Sequence, residues 1–572
     1  MRSRYAATLA ALLNTLAAVA ETPDTSAWRC ELCPPNKDTH TNLSAGVLHV
    51  DDDAPYFVRS SGVDEAGTFP TISGDGERAG EVWSLGWRAD RLGTDAASGA
   101  IRVRDGARWR FNGDFVDWPQ RRFKRALTPF VDAAAGSLAL PDDWVRGPST
   151  ADMTVLDASL QQRIPVSDRR RVRAGLSFIA TPRWAFDVGV RHDRNRGEAI
   201  GGGASFTSAA QLPLPLDSDS LSWSLAANYR APGTSLRISY RDRRFDNRYP
   251  ALVWDQPFSG FPGAERFRSA RAPDNAEQRL GVRLLSSFGR RLKLSGSIGL
   301  SRSRQDDALL AYTVNPLIAV NPLPRGRADA TVWHNHAAVA GEYRHSRGPR
   351  LRIAYRWRER RNDTPLDIWV PVLVDSLDSG RRSGNEPYDY TRHELSVTAL
   401  ARRGPLLAFE TGVKGTRVER SRREVDEQTE AEAWTRLRIT PDGPFTAALK
   451  IGSAERRFDR YDLDTAAAAG QNPLLRKYDL AHRLRHYGEL SLDLAWAEGA
   501  VTGGVTIVFS DDDYSRSQLG LTDSDMLGVD ADLSWQAGAD VGLTVRAGLD
   551  RYEGAQATAT GPGGGTADGH IG

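Results

Sequence analysis

Apolar and polar residues alternate with a period of two along most of this chain. In the segment 183–193, Phe186 and Val188 share one face, while Asp187 and Arg191 take the other. The same alternation recurs at 235–245, 291–301, 350–360, 500–510 and 540–550. Because successive strand residues point to opposite faces, these segments predict β-strands with one apolar face and one polar, often cationic, face. A helix would distribute the same arginines around its circumference.

The connections between these segments alternate between short and long. Short turns rich in Gly and Pro, such as 180–183 and 231–234, are typical of tight hairpins. Long polar stretches follow the hairpins, at 194–218, 247–275, 304–330, 361–390, 457–484 and 513–526. Such alternation is typical of an outer-membrane barrel, with short turns in the periplasm and long loops outside. Counting from residue 78 onward, we predict an all-β fold, a large transmembrane antiparallel β-barrel with roughly 20 or more strands.

Composition agrees with a barrel and disfavours other classes. Beyond the N-terminal residues no run of about 18 apolar residues occurs, which excludes α-helical membrane spans. The mean hydropathy of −0.46 is expected when only every second strand residue meets lipid. The 75 Lys and Arg residues nearly balance the 73 Asp and Glu residues, so no basic excess predicts nucleic-acid binding. A soluble propeller would show a repeating blade motif, and none is found.

The two ends of the chain differ from its middle. Arg2, Arg4, a short apolar stretch and the small-residue pattern ending at Ala20 indicate a secretory signal peptide. The end of the chain is Gly-rich and has no strand pattern, which leaves open that the chain is truncated or frame-shifted near residue 553. We therefore predict a signal peptide at 1–20, a periplasmic or lumenal segment at 21–77, the barrel at 78–552 and a Gly-rich tail at 553–572. A first strand at 43–50 is a further interpretation of the N-terminal segment.

The chain has two cysteines, Cys30 and Cys33, just behind the expected signal peptide. Attachment of a c-type haem needs C-x-x-C-H, and Pro34 stands where the histidine would be, so no haem is expected to attach here. A structural zinc site needs four ligands, and a second pair at the usual spacing is missing. A thiol–disulfide pair in an oxidising compartment remains. A small local disulfide and a redox or partner-sensing role both stay open.

Catalytic motifs are weak, and we predict that the protein is not an enzyme. No serine stands in a G-x-S-x-G elbow. His334 and His336 share one face of a predicted strand, so metal or haem ligation is one interpretation and a solvated polar lining the other. The candidate contacts for a partner inside the lumen are these two histidines together with Arg237, Arg241, Arg352, Arg356 and Arg358.

Four stretches resemble the MtrB/PioB family of decahaem-associated outer-membrane proteins. They are the Cys30–Cys33 pair, DNRYPALVWDQPF (246–258), NPLLRKYDLAHR (472–483) and YSRSQLGLTDSD (514–525). The cysteine pair alone is weak, whereas its combination with 472–483 and the barrel pattern is fairly specific. The chain departs from the family pattern at its end, where we expect the last strands of the barrel to be missing.

The resemblance implies a porin-like sheath in the outer membrane. Family members surround a periplasmic multihaem c-type cytochrome, so that electrons cross the membrane to or from an extracellular acceptor or donor. An extracellular multihaem cytochrome is a further partner that the resemblance allows. The sheath itself would bind no cofactor covalently, and the haem c would belong to the partner. The alternative function, from a different class, is a porin or receptor for small solutes.

Overall fold

The computed structural model describes residues 39–558, apart from 52, 54–57, 81, 107, 122–124, 207, 347, 469–470, 497–498 and 539–540. The expected signal peptide, the Cys30–Cys33 pair and residues 559–572 of the predicted tail lie outside the described residues. The helices in the described part are short: Val58–Ser61, Leu156–Ser159, Leu463–Ala468 and the 3-10 turn Thr150–Asp152. No helix there is long and apolar enough to cross a membrane.

The remaining regular structure consists of β-strands, numbered here in chain order. They are β1 (His40–Val50), β2 (Gly67–Ala79), β3 (Trp83–Leu92), β4 (Ser98–Asp105), β5 (Trp109–Arg121), β6 (Ala126–Thr128), β7 (Val131–Ala134), β8 (Ser137–Ala139), β9 (Gln161–Arg163), β10 (Val166–Ile179), β11 (Trp184–Ser205), β12 (Ser208–Ala231), β13 (Thr234–Asn247), β14 (Ala251–Asp255), β15 (Arg266–Ala270), β16 (Asn275–Phe288), β17 (Leu292–Gln305), β18 (Ala330–Arg344), β19 (Arg350–Asn362), β20 (Ile368–Trp369), β21 (Val372–Leu373), β22 (Leu377–Asp378), β23 (Ser383–Gly384), β24 (Tyr390–Arg403), β25 (Leu407–Arg420), β26 (Glu427–Ile439), β27 (Phe445–Phe458), β28 (Arg483–Trp496), β29 (Val501–Asp513), β30 (Gly520–Gln536) and β31 (Gly542–Ala557).

Strands β1–β5, β10–β13, β16–β19 and β24–β31 form one sheet of 21 strands. Each strand pairs antiparallel with the next of this set along the chain, so that β5 pairs with β10, β13 with β16 and β19 with β24. Within the described residues no pairing between β1 and β31 is present. The up-and-down order and the strand number confirm the prediction of roughly 20 or more antiparallel strands.

The two faces of this sheet differ as the alternation predicts. On β11, the side chains of Trp184, Phe186, Val188 and Val190 share one face and remain 36–46% exposed. The opposite face carries Asp187, which accepts hydrogen bonds from Ser177 and Asn228 of the neighbouring strands. An exposed apolar face on a barrel strand is the lipid-facing surface, so the hydrogen-bonded polar face lines the lumen.

Long and short connections lie at opposite ends of the sheet, as predicted. Adjacent strands are joined at one end by turns such as Ala231–Thr234, whose flanking residues still pair in register. One predicted loop is different: residues 194–218 continue β11 and β12 as a hairpin that pairs from Trp184–Tyr229 to Ser205–Ser208. Its Gly-rich and Pro-rich sequence hides the strand pattern, because glycine contributes no side chain to the alternation.

The sheet begins earlier and ends later than predicted. Residues 40–50 and 67–79 are its first two strands, although the sequence placed them in a segment outside the barrel. On β1, Leu43 and Val47 point outward, 71% and 72% exposed, but Asp and Gly in β2 break the apolar repeat. The last strand runs to Ala557, which pairs with Gly520, so the boundary at 553 is also corrected.

Two groups of long loops pack around small cores of their own. The first, the loop cap, is a four-stranded sheet in the order β15–β14–β8–β7, whose core includes Phe130, Leu252, Trp254 and Phe267. The second, the loop junction, consists of residues 421–426, 459–468, 471–482 and 514–519, with a core of Val425, Tyr461, Ala466 and Leu480. Packed loops of this kind are held more firmly than solvated connections.

Candidate functional site

The candidate site is the lumenal face of strands β13, β16, β17, β18 and β19. Arg237 lies on this face, because its Nη1 donates to Asp187 at 3.2 Å and to Asn228 at 2.7 Å. Arg241 shares the face, since it is four residues further along the same strand. These contacts place two of the predicted lumenal arginines together on β13.

The predicted residues of β18 and β19 lie opposite one another on the same face. His336 pairs in register with Arg358, and Ala338 with Arg356. His334 is two residues from His336 and is exposed, while the neighbouring Ala337 and Trp357 take the outer face. All seven predicted lumenal residues therefore belong to one polar surface, and their contact with a partner stays a prediction.

The five predicted arginines differ in whether they have an acidic partner. Arg237 pairs with Asp187, and Arg356 pairs with Glu394 at 2.6 Å. Among the described residues, no ion pair is present for the other three, Arg241, Arg352 and Arg358. These three guanidinium groups therefore present uncompensated charge to the lumen.

Two arginines that the sequence analysis missed extend this surface. Arg279 and Arg283 on β16 pair in register with Arg241 and Arg237, respectively. The four side chains and His336 line a cavity of about 370 Å³ in the lumen wall. The signal was present in the sequence, because Arg279 and Arg283 have the same four-residue spacing as Arg237 and Arg241.

A second cavity, of about 220 Å³, adjoins the first. Arg283 lines both cavities, and Arg352 and Arg356 line the second. The arginines of β13 and β16 and those of β19 thus line two adjoining cavities, and we call this lumenal surface of β13, β16 and β19 the cationic wall. A guanidinium group offers a planar fork of donors that matches a carboxylate or phosphate group.

The lumenal face of β25–β29 is different, because several of its basic side chains pair with acids of the same face. Lys414 pairs with Glu432, Arg436 lies 3.4 Å from Glu489, and Arg485 donates twice to Asp512, at 2.5 and 2.6 Å. Two of these pairs join neighbouring strands, and the Arg436–Glu489 pair spans β27 to join β26 with β28. We call this face the balanced wall.

The histidine pair gains no support as a metal site. In the part of the chain that the structure describes, no three His, Cys, Asp or Glu side chains converge as metal ligands. His336 also lies near the guanidinium groups of Arg279 and Arg358. Two nearby positive charges oppose the binding of a metal cation.

The segment 472–483 holds the loop junction together. Lys477 donates to Glu424 at 2.5 Å, and Arg423 pairs with Asp479 at 2.9 Å. The guanidinium of Arg476 lies 4.3 Å from the ring centroid of Tyr461. These contacts connect segments about fifty residues apart, so the motif acts as a structural joint of three loops.

Burial changes the titration of the junction. Burial by itself would raise the pKa of Glu424, but hydrogen bonds from Lys477 and Gln471 hold that pKa below its usual value of 4.5. Burial lowers the pKa of His482, which stacks on Phe458 at 4.0 Å. Glu424 is therefore ionised, and His482 neutral, near pH 7.

The sheet, its lipid-facing apolar surface and its polar lumen define an outer-membrane β-barrel porin. Residues 49–567 match the family described as outer membrane beta-barrel porin, MtrB/PioB. This chain belongs to that family, and the outer membrane is its location.

A named relative agrees with this assignment. Outer membrane protein MtrB of Shewanella baltica (strain OS185) is 25% identical over 552 residues, which cover 93% of this chain and 77% of the relative. The match extends over nearly the whole described sheet.

Solved structures offer only weak likenesses. The siderophore receptor PirA from Pseudomonas aeruginosa is 9% identical and gives a TM-score of 0.41, with 91% of this chain and 72% of that chain covered. The siderophore receptor PiuA from Acinetobacter baumannii is 10% identical, with a TM-score of 0.42 and coverage of 89% and 77%. Likenesses at this level bear neither on the fold nor on the function of this chain.

Proposed function

We propose that this protein is a porin-like sheath that holds a multihaem c-type cytochrome inside its barrel and supports electron transfer across the outer membrane. The cytochrome comes from the periplasm, and an extracellular multihaem cytochrome can complete the path. Membership of the MtrB/PioB family supports this proposal. The sheath acts by binding and insulating its partner and carries out no catalysis of its own.

The membrane itself makes such a sheath necessary. Its hydrocarbon core is about 30 Å thick, which is too wide for an electron to cross in one tunnelling step. A chain of haems needs a protein passage through this layer. With two cysteines in the whole sequence and no C-x-x-C-H, the barrel depends on a partner for every covalent haem.

The size of the sheet is suited to a folded guest. Barrels of 16–18 strands enclose an aqueous channel, and barrels of about 22 strands accommodate a plug. A cylinder built from the 21-stranded sheet falls at the upper end of this range. Its lumen can therefore accommodate a protein as well as solutes.

The observation that carries the proposal is the cationic wall. Arg241, Arg352 and Arg358 have no acidic partner among the described residues, whereas Lys414, Arg436 and Arg485 of the balanced wall each pair with an acid. A guest with surface carboxylates or haem propionates would supply the missing partners through bidentate hydrogen bonds. A porin for small solutes would leave these positive charges facing water.

Co-purification tests the proposal. The full-length chain, tagged at a long loop and solubilised in mild detergent from its native outer membrane, should retain a partner with the absorbance of c-type haem. An equal preparation of an unrelated outer-membrane porin is the control. Recovery of a haem-free barrel that conducts ions in planar bilayers would instead favour the solute porin.

A further inference from the structure

We propose that the cavity between β13, β16, β17 and β18 is a binding site for an oxyanion with two or more negative charges, of phosphate or paired-carboxylate chemistry. This goes beyond the sheath function, because a defined pocket in the wall would select an anion whether or not a protein occupies the lumen. Three features support this site: the arrangement of the arginines, the polar floor of the cavity, and the absence, among the described residues, of an acid paired with three of its four arginines.

The arginines form two pairs across neighbouring strands. Arg237 lies directly opposite Arg283, and Arg241 directly opposite Arg279. The two pairs are separated by four residues along the strands, which corresponds to about 13 Å. Like charges directly opposite in a sheet are destabilising, so this arrangement needs a compensating negative charge.

The floor between the pairs consists of small residues. Ser239, Gly281 and Gly299 follow one another across the three strands in register. A methyl group on Gly281 would lie 3.0 Å from Oγ of Ser239, and one on Gly299 would overlap the imidazole of His336. The two glycines therefore make room for the His336 imidazole and the Ser239 hydroxyl, which form a polar floor between the guanidinium groups.

Acidic groups near the cavity are already engaged. Asp187 pairs with Arg237 and accepts hydrogen bonds from Ser177 and Asn228. Glu277 accepts a hydrogen bond from Ser301 at 2.9 Å and pairs in register with Arg243. Within the described residues, no acid pairs with Arg241, Arg279 or Arg283, so the cavity has an excess of positive charge.

The volume and the polarity of the cavity indicate the kind of ligand. At about 370 Å³ it is large enough for a small molecule or for two carboxylates with their waters. Arginine forks bind phosphate and carboxylate oxygens in a bidentate manner, which a chloride ion cannot match. The oxyanion can be a free ion in the lumen or carboxylates on a captured protein, and the second source rests on the proposed function.

The first arm of the test uses the purified full-length barrel in detergent without a partner. Inorganic phosphate at roughly a hundred times its dissociation constant should raise the unfolding midpoint by several degrees, while sodium chloride of equal ionic strength should not. Arg279→Gln should abolish the phosphate effect. Gly281→Leu, which keeps every charge but fills the floor, should abolish it as well.

Arg438→Gln is the matched control, because Arg438 is an exposed arginine on the lumenal face of β26, outside the cavity. It should keep the full response to phosphate. Because Arg279→Gln removes a repulsion, its unfolding midpoint without phosphate should equal or exceed that of the wild type. This midpoint shows whether Arg279→Gln is folded, so that a lost phosphate response can be assigned to lost binding.

The second arm measures haem retained by the same variants when they are purified from native membranes. If phosphate has no effect but Arg279→Gln and Gly281→Leu lose several-fold more haem than Arg438→Gln, the oxyanion belongs to the guest. If neither response depends on these positions, or if Arg438→Gln behaves as they do, the site does not exist. The phosphate arm needs no cytochrome, so a haem-free wild type would overturn the sheath without deciding the anion site.

Discussion

The cationic wall and the balanced wall are built from the same kind of strand but use their charges in opposite ways. On the balanced wall, lysine and arginine side chains reach acids on neighbouring strands, as Arg485 reaches Asp512. On the cationic wall, Arg241 and Arg352 have no acidic partner in the described part of the chain. A cation paired with an acid of the barrel is compensated there, whereas the unpaired guanidinium groups of the cationic wall are available to a partner.

The loops above the two walls follow a similar division. The loop junction connects the strands of the balanced wall and is held by internal ion pairs such as Lys477–Glu424. The loop cap draws on the connections of β5–β10 and β13–β16, and its core is apolar, with Trp254 packed edge-on against Phe267. Both loop groups have a packed core of buried apolar residues, so they differ in their ion pairs and not in whether they are packed.

The largest expected effect concerns the support of the balanced wall. Leu480→Ala removes a side chain that is 1% exposed in the loop junction and should cost about 2–5 kcal/mol of local stability. Hydrogen exchange of the 459–482 amides should rise accordingly, since their opening free energy falls. Leu474→Ala, at a position 46% exposed in the same loop, is the control and should change exchange little.

Reversing charges on one wall at a time tests whether the two walls differ in their contact with the cytochrome. Arg352→Glu together with Arg358→Glu should reduce the haem that co-purifies with the barrel at least about tenfold, which corresponds to about 1.4 kcal/mol. The acidic groups on the surface of the cytochrome would then face the introduced glutamates and be repelled. Arg438→Glu, on the lumenal face of β26, should leave haem retention within about twofold, and equal losses from both changes would erase the distinction between the walls.

Acid should weaken the loop junction and leave the cationic wall charged. Because the folded pKa of Glu424 is below its unfolded value of 4.5, its ion pair stabilises the junction above that pH. The contribution is lost as the pH falls through the folded pKa. Between pH 6 and pH 3, the stability of the loop junction, measured by hydrogen exchange of its amides, should therefore change less in Glu424→Gln than in the wild type. The same pH dependence in both proteins would show that the Glu424 carboxylate is not the titrating group.

The smallest effect should be the response to salt. Raising the ionic strength from 0.1 to 1 M shortens the Debye length from about 10 to about 3 Å. Haem retention should fall modestly, because bidentate arginine pairs are screened less than distant charges. Arg352→Gln should reduce this dependence, while Arg438→Gln should not, and matching salt profiles for both variants would count against the wall as the contact surface.

The sequence alone predicted the features that depend on local spacing. Alternation placed Phe186 outside and Asp187 inside, because the side-chain period of a strand is two. It found the position of β1 at 43–50 but failed for β2, where glycine and aspartate interrupt the apolar repeat. It also missed the hairpin beyond residue 194 for the same reason.

Features that depend on long-range contact were out of reach. The pairing of Arg237 with Arg283 depends on the register of two strands, which the spacing within each strand does not specify. The role of 472–483 as a joint became visible only through contacts with Glu424 and Tyr461. Arg279 and Arg283 could have been found, since their spacing repeats that of the preceding arginine strand.

Site-specific crosslinking across one strand tests the central claim most directly. A photoreactive benzoylphenylalanine at Ala338, on the lumenal face of β18 beside Arg356, should give a crosslinked band that stains for haem after irradiation of intact cells. The same group at Ala337, one residue away on the lipid-facing side, should give none. Absence of the haem-stained band at Ala338, or equal bands at both positions, would contradict a cytochrome held against the cationic wall.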